Sequence, residues 1–367
     1  MFKRKFEINL DLFRMTPPPL IGVDISSSSV KLVELVMIDR INYIYRIERY
    51  AIEPLPADAL QEGGIVNFDA VSESIQRGWE RMGTRLTNVA LALPAAAVIT
   101  KKIIVPAGQR EDDLAFQVEN EASQYIPFAL DEVELDFQVI RSMPDNQDEV
   151  EVLIAVSRKD NVEDRVAAAL TAGLKTVVMD VESYAAQAAF ELVERQLPDG
   201  GKDKVIALVD IGATTMSINI LHNGQSIYIR DQPFGGNQLT QEIHNQFNLS
   251  PDEAETAKRS GNLPENYKVD VLLPFCETLA LEVTRAIQFF FTSTQYTKID
   301  YIFIAGGCAV IPGLNEIISA RTQVSTLTIN PFSSMDISSR IIPRQLNMDA
   351  PSLLIACGLA MRSFDPS

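Results

Sequence analysis

The sequence predicts an α/β protein built from two related halves, and three stretches carry that expectation. Residues 20–35, LIGVDISSSSVKLVEL, read as an apolar strand ending at Asp24, a row of four serines, and a second strand in which Val30, Leu32 and Leu35 are interleaved with Lys31 and Glu34. That is the pattern of a hairpin around a hydroxyl-rich turn. Residues 206–221, IALVDIGATTMSINIL, repeat the plan: Asp210 matches Asp24, Gly212 matches Ser26, and Thr214-Thr215 match Ser28-Ser29. Residues 301–312, YIFIAGGCAVIP, read as a buried strand running into Gly306-Gly307, then Ile311-Pro312-Gly313 and a helical pattern.

Such turns suit phosphate. Backbone N–H groups and the hydroxyls of Ser26, Ser27 and Ser28 can donate to phosphate oxygens, while a carboxylate at the strand end orients waters around Mg²⁺, which takes few protein ligands. One Asp-Ile-Ser-Ser run is equally good turn chemistry without a ligand. Two such hairpins facing each other would grip the phosphates and metal of a nucleotide from both sides, through Asp24 and Asp210. A glycine pair lets backbone approach a flat base. Phe234-Gly235-Gly236-Asn237 precede a helix expected over residues 238–246, and glycines there leave N–H groups aimed at an anion. The alternative is a plain tight turn.

In that order, the D-x-S, D-x-G and G-G stretches resemble the actin, hexokinase and sugar-kinase ATPase fold. Within it the chain resembles the PilM family, actin-like cytoplasmic proteins of the type IV pilus inner-membrane platform and relatives of the cell-division protein FtsA. The likeness rests on Gly22-Val23-Asp24-Ile25-Ser26-Ser27, Val30-Lys31-Leu32, Gln124-Tyr125-Ile126-Pro127, Val209-Asp210-Ile211-Gly212-Ala213-Thr214, Phe234-Gly235-Gly236, Ala305-Gly306-Gly307 and Ala356-Cys357-Gly358-Leu359-Ala360, and spans residues 20–364.

The resemblance implies an actin-like ATPase fold, with two lobes, a duplicated sheet core and an inserted βαββα subdomain of the FtsA/PilM type. The expected organisation is an arm at 1–19, first lobe at 20–93, insertion at 94–175, first-lobe return at 176–203, second lobe at 204–248, helical subdomain at 249–298, second lobe at 299–330 and a closing first-lobe helix at 331–367. It implies ATP and Mg²⁺ as cofactors. The nucleotide is expected among Asp24, Ser26, Ser27, Ser28, Lys31, Asp210, Gly212, Ala213, Thr214, Thr215, Gly235, Gly236, Asn237, Gly306, Gly307 and Ile311, with Asp24 and Asp210 at the metal. Glu253 and Lys258 match positions near the ribose and adenine in relatives; the alternative is a surface pair. Glu182, by position, would orient the water that attacks the γ-phosphate. The alternative is a solvated first-turn glutamate stabilised by the helix dipole. Ser26 replaces a common glycine, and serine is less comfortable at positive φ, so the first loop is expected to hold nucleotide rather than turn it over.

Composition sets the outer bounds. A chain of 367 residues exceeds one ordinary core, so two or more domains are expected. A net charge of −17 opposes nucleic acid and anionic bilayers as partners of the main body. Cys276, Cys308 and Cys357 form no C-x-x-C, and two histidines are few for a zinc site, so no structural metal is expected. No run of eighteen apolar residues occurs, and Glu7, Asn9 and Asp11 interrupt the start, so a cytoplasmic protein is expected; the resemblance implies that it is peripheral at the cytoplasmic face of the inner membrane through a partner.

Residues 1–19 combine Lys3-Arg4-Lys5, alternating Phe6, Ile8, Leu10 and Leu12, and Pro17-Pro18-Pro19. They read either as a tail or as a segment for strand addition. Ile8-Asn9-Leu10 is similar to the Ile-Asn-Leu-Leu-Pro tail of PilN, the membrane partner of the family. The insertion should follow as a strand at 98–105, a helix at 111–124, strands at 133–139 and 152–156, and a helix at 162–172. Residues 182–194 should form a helix capped by Asp180 or Ser183. The FtsA-type membrane-binding helix at the C-terminus is not matched. The resemblance therefore implies an ATP-binding scaffold that recruits the N-terminal cytoplasmic tail of a PilN-like inner-membrane protein; pilus motor or platform proteins and self-association are further partners it allows. The competing readings are an FtsA-like filament protein and a slow phosphotransferase.

Overall fold

The structure is a computed structural model that describes residues 19–143 and 146–365. The expected basic cluster, alternating segment and the first two prolines of the spacer in the N-terminal arm lie outside the described residues. The chain divides into two compact units, one of residues 19–37, 47–185 and 355–365, the other of residues 38–46 and 186–354. The divisions fall inside a helix after Ala185 and again after Leu354.

In the first unit, β1 (Ile21–Ile25) pairs antiparallel with β2 (Ser29–Asp39), which is followed by β3 (Ile44–Pro54). All five residues of β1 are buried, as expected of a strand covered on both faces. The short strands β4 (Leu60–Gln61) and β5 (Gly64–Ile65) form a separate antiparallel pair. Helix α1 (Phe68–Met82) starts where Asn67 accepts from the Ala70 N–H and stops at Gly83 in the left-handed region (φ 61°). It buries Val71, Ile75 and Met82. Strand β6 (Asn88–Leu93) lies parallel to β1.

The insertion is a three-stranded antiparallel sheet, ordered β7 (Val98–Pro106), β9 (Glu149–Arg158), β8 (Val133–Ser142), covered by α2 (Glu111–Ala122). Its small core is Val105, Leu114, Val118, Val133, Val152, Ile154 and Val156. The order β-α-β-β-α holds, but α3 (Lys159–Thr171) places Val162, Ala168 and Ala169 in the first unit's main core with Ile75 and Leu91. An amphipathic pattern marks which face of a helix is buried, not which core buries it. The sheet resumes with β10 (Lys175–Val181), parallel to β6. The Asp180 carboxylate accepts from the Val181 N–H and from Arg362 Nε at 2.5 Å, which ties down the end of the chain.

Helix α4 (Glu182–Glu194) carries the chain into the second unit, where Phe190 meets Phe303 edge to face. There the sheet runs β13 (Gln225–Gln232), β12 (Met216–His222), β11 (Val205–Ile211), β14 (Tyr301–Ala305), β15 (Ser325–Thr328). Its core is shared with α5 (Gly236–Phe247), α6 (Pro251–Ser260), α7 (Leu273–Ser293) and α8 (Leu314–Thr322), through Leu239, Ala254, Phe275, Leu279, Val283, Phe290 and Ile318. Helix α9 (Pro343–Asp349) follows, and α10 (Leu354–Met361) closes onto the first unit. That closure requires glycine. A Cβ on Gly22 would lie 2.1 Å from the Ala356 carbonyl oxygen, and one on Gly358 would lie 1.7 Å from that of Ala185.

Candidate functional site

The two hairpins share one backbone design. In the first, Asp24 pairs with Lys31 and Ile25 with Val30; in the second, Asp210 pairs with Ser217 and Ile211 with Met216. Each leaves a four-residue loop closed by the same bond: the Ser26 N–H donates to Ser29 O at 3.0 Å, and the Gly212 N–H to Thr215 O at 2.9 Å.

Their side chains differ. Asp24 is 2% exposed, and Lys31 Nζ donates to its Oδ2 at 2.7 Å and to Ser26 Oγ at 2.9 Å. Ser26 Oγ in turn donates to Ser29 O. Ser26 is not among the residues with positive φ, and neither is Gly212. The expectation that serine strains this loop is therefore corrected: the turn closes without the left-handed region.

Beneath the first loop lies a group that the motifs did not reveal. Arg165 of α3 is buried and donates to Ile25 O and, at 2.8 Å, to Gly63 O. Burial lowers its pKa, while the charges of Glu182, Asp24 and Asp164 pull it back up. Glu182, half-buried in the first turn of α4, thus belongs to the electrostatic neighbourhood of Asp24. The spacing Val162, Arg165, Ala169 was the available signal, since it puts an arginine on the apolar face of the helix.

In the second unit, three loops converge around Asp210. Gly235 packs so tightly on the hairpin loop that a Cβ would lie 2.6 Å from both the Gly212 and Ala213 carbonyl oxygens. The Gly236 N–H donates to Gly212 O at 3.0 Å and the Asn237 N–H to Ala213 O at 2.8 Å, while the Gly235 N–H donates to Gln238 Oε1. Helix α5 begins at Gly236, earlier than expected, and its first N–H groups are taken up by the loop. These donors are therefore not aimed at an anion; the glycines join loop and helix.

Gly306 supplies the third side. At φ 84° and with a Cβ position 2.4 Å from Asp210 Oδ1, it needs to be glycine on both counts. A Cβ on Gly307 would meet nothing within 4 Å. Ile311 is half-buried against the core of this unit, and Thr214 and Thr215 are exposed with their hydroxyl oxygens 3.4 Å apart.

Lys258 reaches this cluster from α6, donating to Thr240 Oγ1 at 2.7 Å and to Gly236 O at 3.3 Å, and pairing with Glu255 at 2.5 Å. Glu255 was missed in the sequence, although its i,i+3 spacing to Lys258 was visible. Burial pushes its carboxyl up, but hydrogen bonds from Lys258, Thr240 and Arg259 outweigh this and bring it down to about 2. Glu253 is exposed and does not pair with Lys258; its carboxylate accepts from the Ser250 N–H and hydroxyl, closing a capping box. Cys308 donates to Gly212 O at 3.7 Å, and burial pushes its thiol up to about 11.

Two α/β units, each built on a sheet with an aspartate-ended hairpin, define an actin-like ATPase fold. The crystal structure of EutJ from Carboxydothermus hydrogenoformans shares it, with a TM-score of 0.55 at 17% identity over 94% of this chain and 90% of that one. A family model described as type IV pilus assembly protein PilM matches residues 22–364, and the chain belongs to that family. A PilM–PilN type IV pilus biogenesis complex contains a chain similar to it, with a TM-score of 0.80 and 28% identity over 95% of this chain and all of that one. FtsA of Bacillus subtilis is 23% identical over 65% of this chain, and FtsA of Enterococcus hirae is 24% identical over the same share. The chain spans 57% and 56% of those two relatives. Among the described residues no helix is long and apolar enough to cross a membrane, and no cluster of three or more acidic, His or Cys side chains could hold a metal ion.

Proposed function

We propose that the protein is an ATP-binding scaffold of type IV pilus assembly that recruits the N-terminal cytoplasmic tail of a PilN-like inner-membrane protein. The observation that carries the nucleotide part is the convergence on Asp210 of three loops, held by Gly235 and Gly306 at approaches that only glycine permits, in a chain of this family. The residues present fit a nucleotide. Gly307 borders open space for a base, Thr214 and Thr215 offer exposed hydroxyls, and Lys258 supplies a cation beside Gly236.

ATP would bring a phosphoanhydride and Mg²⁺ would screen its charge. Asp24 and Asp210 would hold the metal's waters, Ser26, Ser27, Ser28, Thr214 and Thr215 would donate to phosphates, and Lys31 would keep Asp24 oriented. Calorimetry with ATP and Mg²⁺ should show Asp24→Ala and Asp210→Ala each weakening binding roughly ten- to a hundredfold, the size of a lost charge-assisted hydrogen bond of about 1.5–3 kcal/mol. Unchanged affinity in both variants would sink this reading. Glu182 is the one candidate for orienting an attacking water, and Arg165 would fix its field. Phosphate release should be far slower than the enzyme median of about 10 s⁻¹.

The partner part rests on the insertion. Strands β7 and β8 are the edges of its sheet, and Ile99, Ile104, Phe116, Tyr125 and Phe128 are exposed there. An extended Ile-Asn-Leu-type tail suits such an edge by strand addition. A PilN-like N-terminal peptide followed by fluorescence anisotropy should bind, and Ile104→Asp should weaken it; binding indifferent to that change would move the peptide elsewhere.

A further inference from the structure

The second unit has a cavity at the end of its sheet away from Asp210. There α4 ends beside the turn of residues 198–201 and the Asn223-Gly224 turn that joins β12 to β13, and about 540 Å³ lies between them. Glu194 lines it and is 9% exposed, yet its carboxylate forms no hydrogen bond or ion pair with a described residue.

Backbone boxes this side chain in. A Cβ on Gly201 (φ 72°) would lie 2.6 Å from Glu194 Cγ, and one on Gly224 (φ 71°) would lie 3.7 Å from Glu194 Oε2. Glu191, one turn earlier on α4, lines the same cavity. Arg195 and Lys202 also line it without pairing with Glu194, and the Arg195 guanidinium sits 5.7 Å over the Tyr43 ring. Burial, then the charge of Glu191, raises the pKa of Glu194. A carboxylate packed this closely against backbone is stabilised as an anion when a cation joins it.

We propose that this cavity receives an arginine side chain of a partner protein, its guanidinium pairing with Glu194. A divalent metal is the poorer fit, because the described residues hold no cluster of three metal ligands, and Mg²⁺ or Ca²⁺ needs several oxygens. Guanidinium is planar, weakly hydrated and two-pronged, which suits a carboxylate with backbone packed on two sides and the charge of Glu191 nearby. The cavity has room for the whole side chain, and a net charge of −17 favours the approach of a basic segment.

The test uses the full chain without nucleotide, titrated with acetyl-arginine amide and with acetyl-citrulline amide, its neutral isostere. Saturable binding of the arginine probe is expected, weaker by about tenfold or more for citrulline and for Glu194→Gln, the loss of one charge-assisted pair. Equal affinity for both probes, which needs no variant to fold, overturns the proposal. So does equal affinity of wild type and Glu194→Gln, which would put the probe elsewhere on the acidic surface. Glu194-dependent binding of Mg²⁺ alone that excludes the probe would overturn it in favour of a metal site.

Discussion

The hairpins at Asp24 and Asp210 have the same register, the same four-residue loop and the same closing bond, yet they are finished differently. At the first, a lysine across the strand pair neutralises a buried aspartate, and hydroxyls fill the turn. At the second, serine stands where the lysine was, and the aspartate is approached by the backbone of Gly306. The strands differ too: Gly22 in β1 corresponds to Leu208 in β11, because α10 lies directly on the first strand. A backbone plan can thus be copied while its charges and neighbours are reassigned.

Exchanging residues between the copies breaks the comparison at its strongest point. Gly22→Leu, which gives the first strand the residue of the second, forces a side chain into the Ala356 carbonyl and the Ala360 N–H. A loss beyond about 4 kcal/mol is expected, seen as failure to melt cooperatively; a wild-type melting curve would show that α10 stands off the strand. Lys31→Ser, again the residue of the second copy, strands a buried carboxylate. Chemical denaturation should register about 3–5 kcal/mol, and Asp24→Asn added to it should recover part of that.

A smaller effect separates the second copy. Glu255 has its pKa lowered to about 2, so its contribution is present above the unfolded value of about 4.5 and is lost as pH falls from there towards 2. Glu255→Gln should flatten this acid limb and cost roughly 1–2 kcal/mol at pH 7, allowing for solvent screening. Mispositioning Lys258 should also weaken nucleotide binding, which calorimetry would read. The smallest change is Glu253→Gln. As an exposed capping-box residue it should barely move the melting curve and should leave nucleotide affinity alone; a tenfold loss of affinity would return Glu253 to the ribose.

Both hairpins were legible because the alternation of apolar residues and the matched Asp, Gly, Ser and Thr positions are local. Helix α4 was likewise read at residues 182–194, where apolar spacing is undisturbed. Contacts between distant segments were not legible. The first N–H groups of α5 looked open because the carbonyls of Gly212 and Ala213 that fill them lie more than twenty residues earlier. Arg165 reaches Ile25 across 140 residues, and nothing near either one advertises the other. The capping role of Glu253 is the opposite case: its partner, Ser250, is three residues away, and the S-x-x-E signature was there to be read.

Cys308 offers a way to time the second loop. With its thiol raised to about 11 by burial, only about one molecule in a thousand carries the reactive thiolate at pH 8, against roughly a quarter for an ordinary cysteine. Alkylation at this position therefore has to wait for transient opening of the segment that covers it, so the labelling rate becomes a clock for local unfolding around Gly306. Slowing of that clock by added nucleotide, followed by mass spectrometry of one peptide, would report loop closure without any engineered probe.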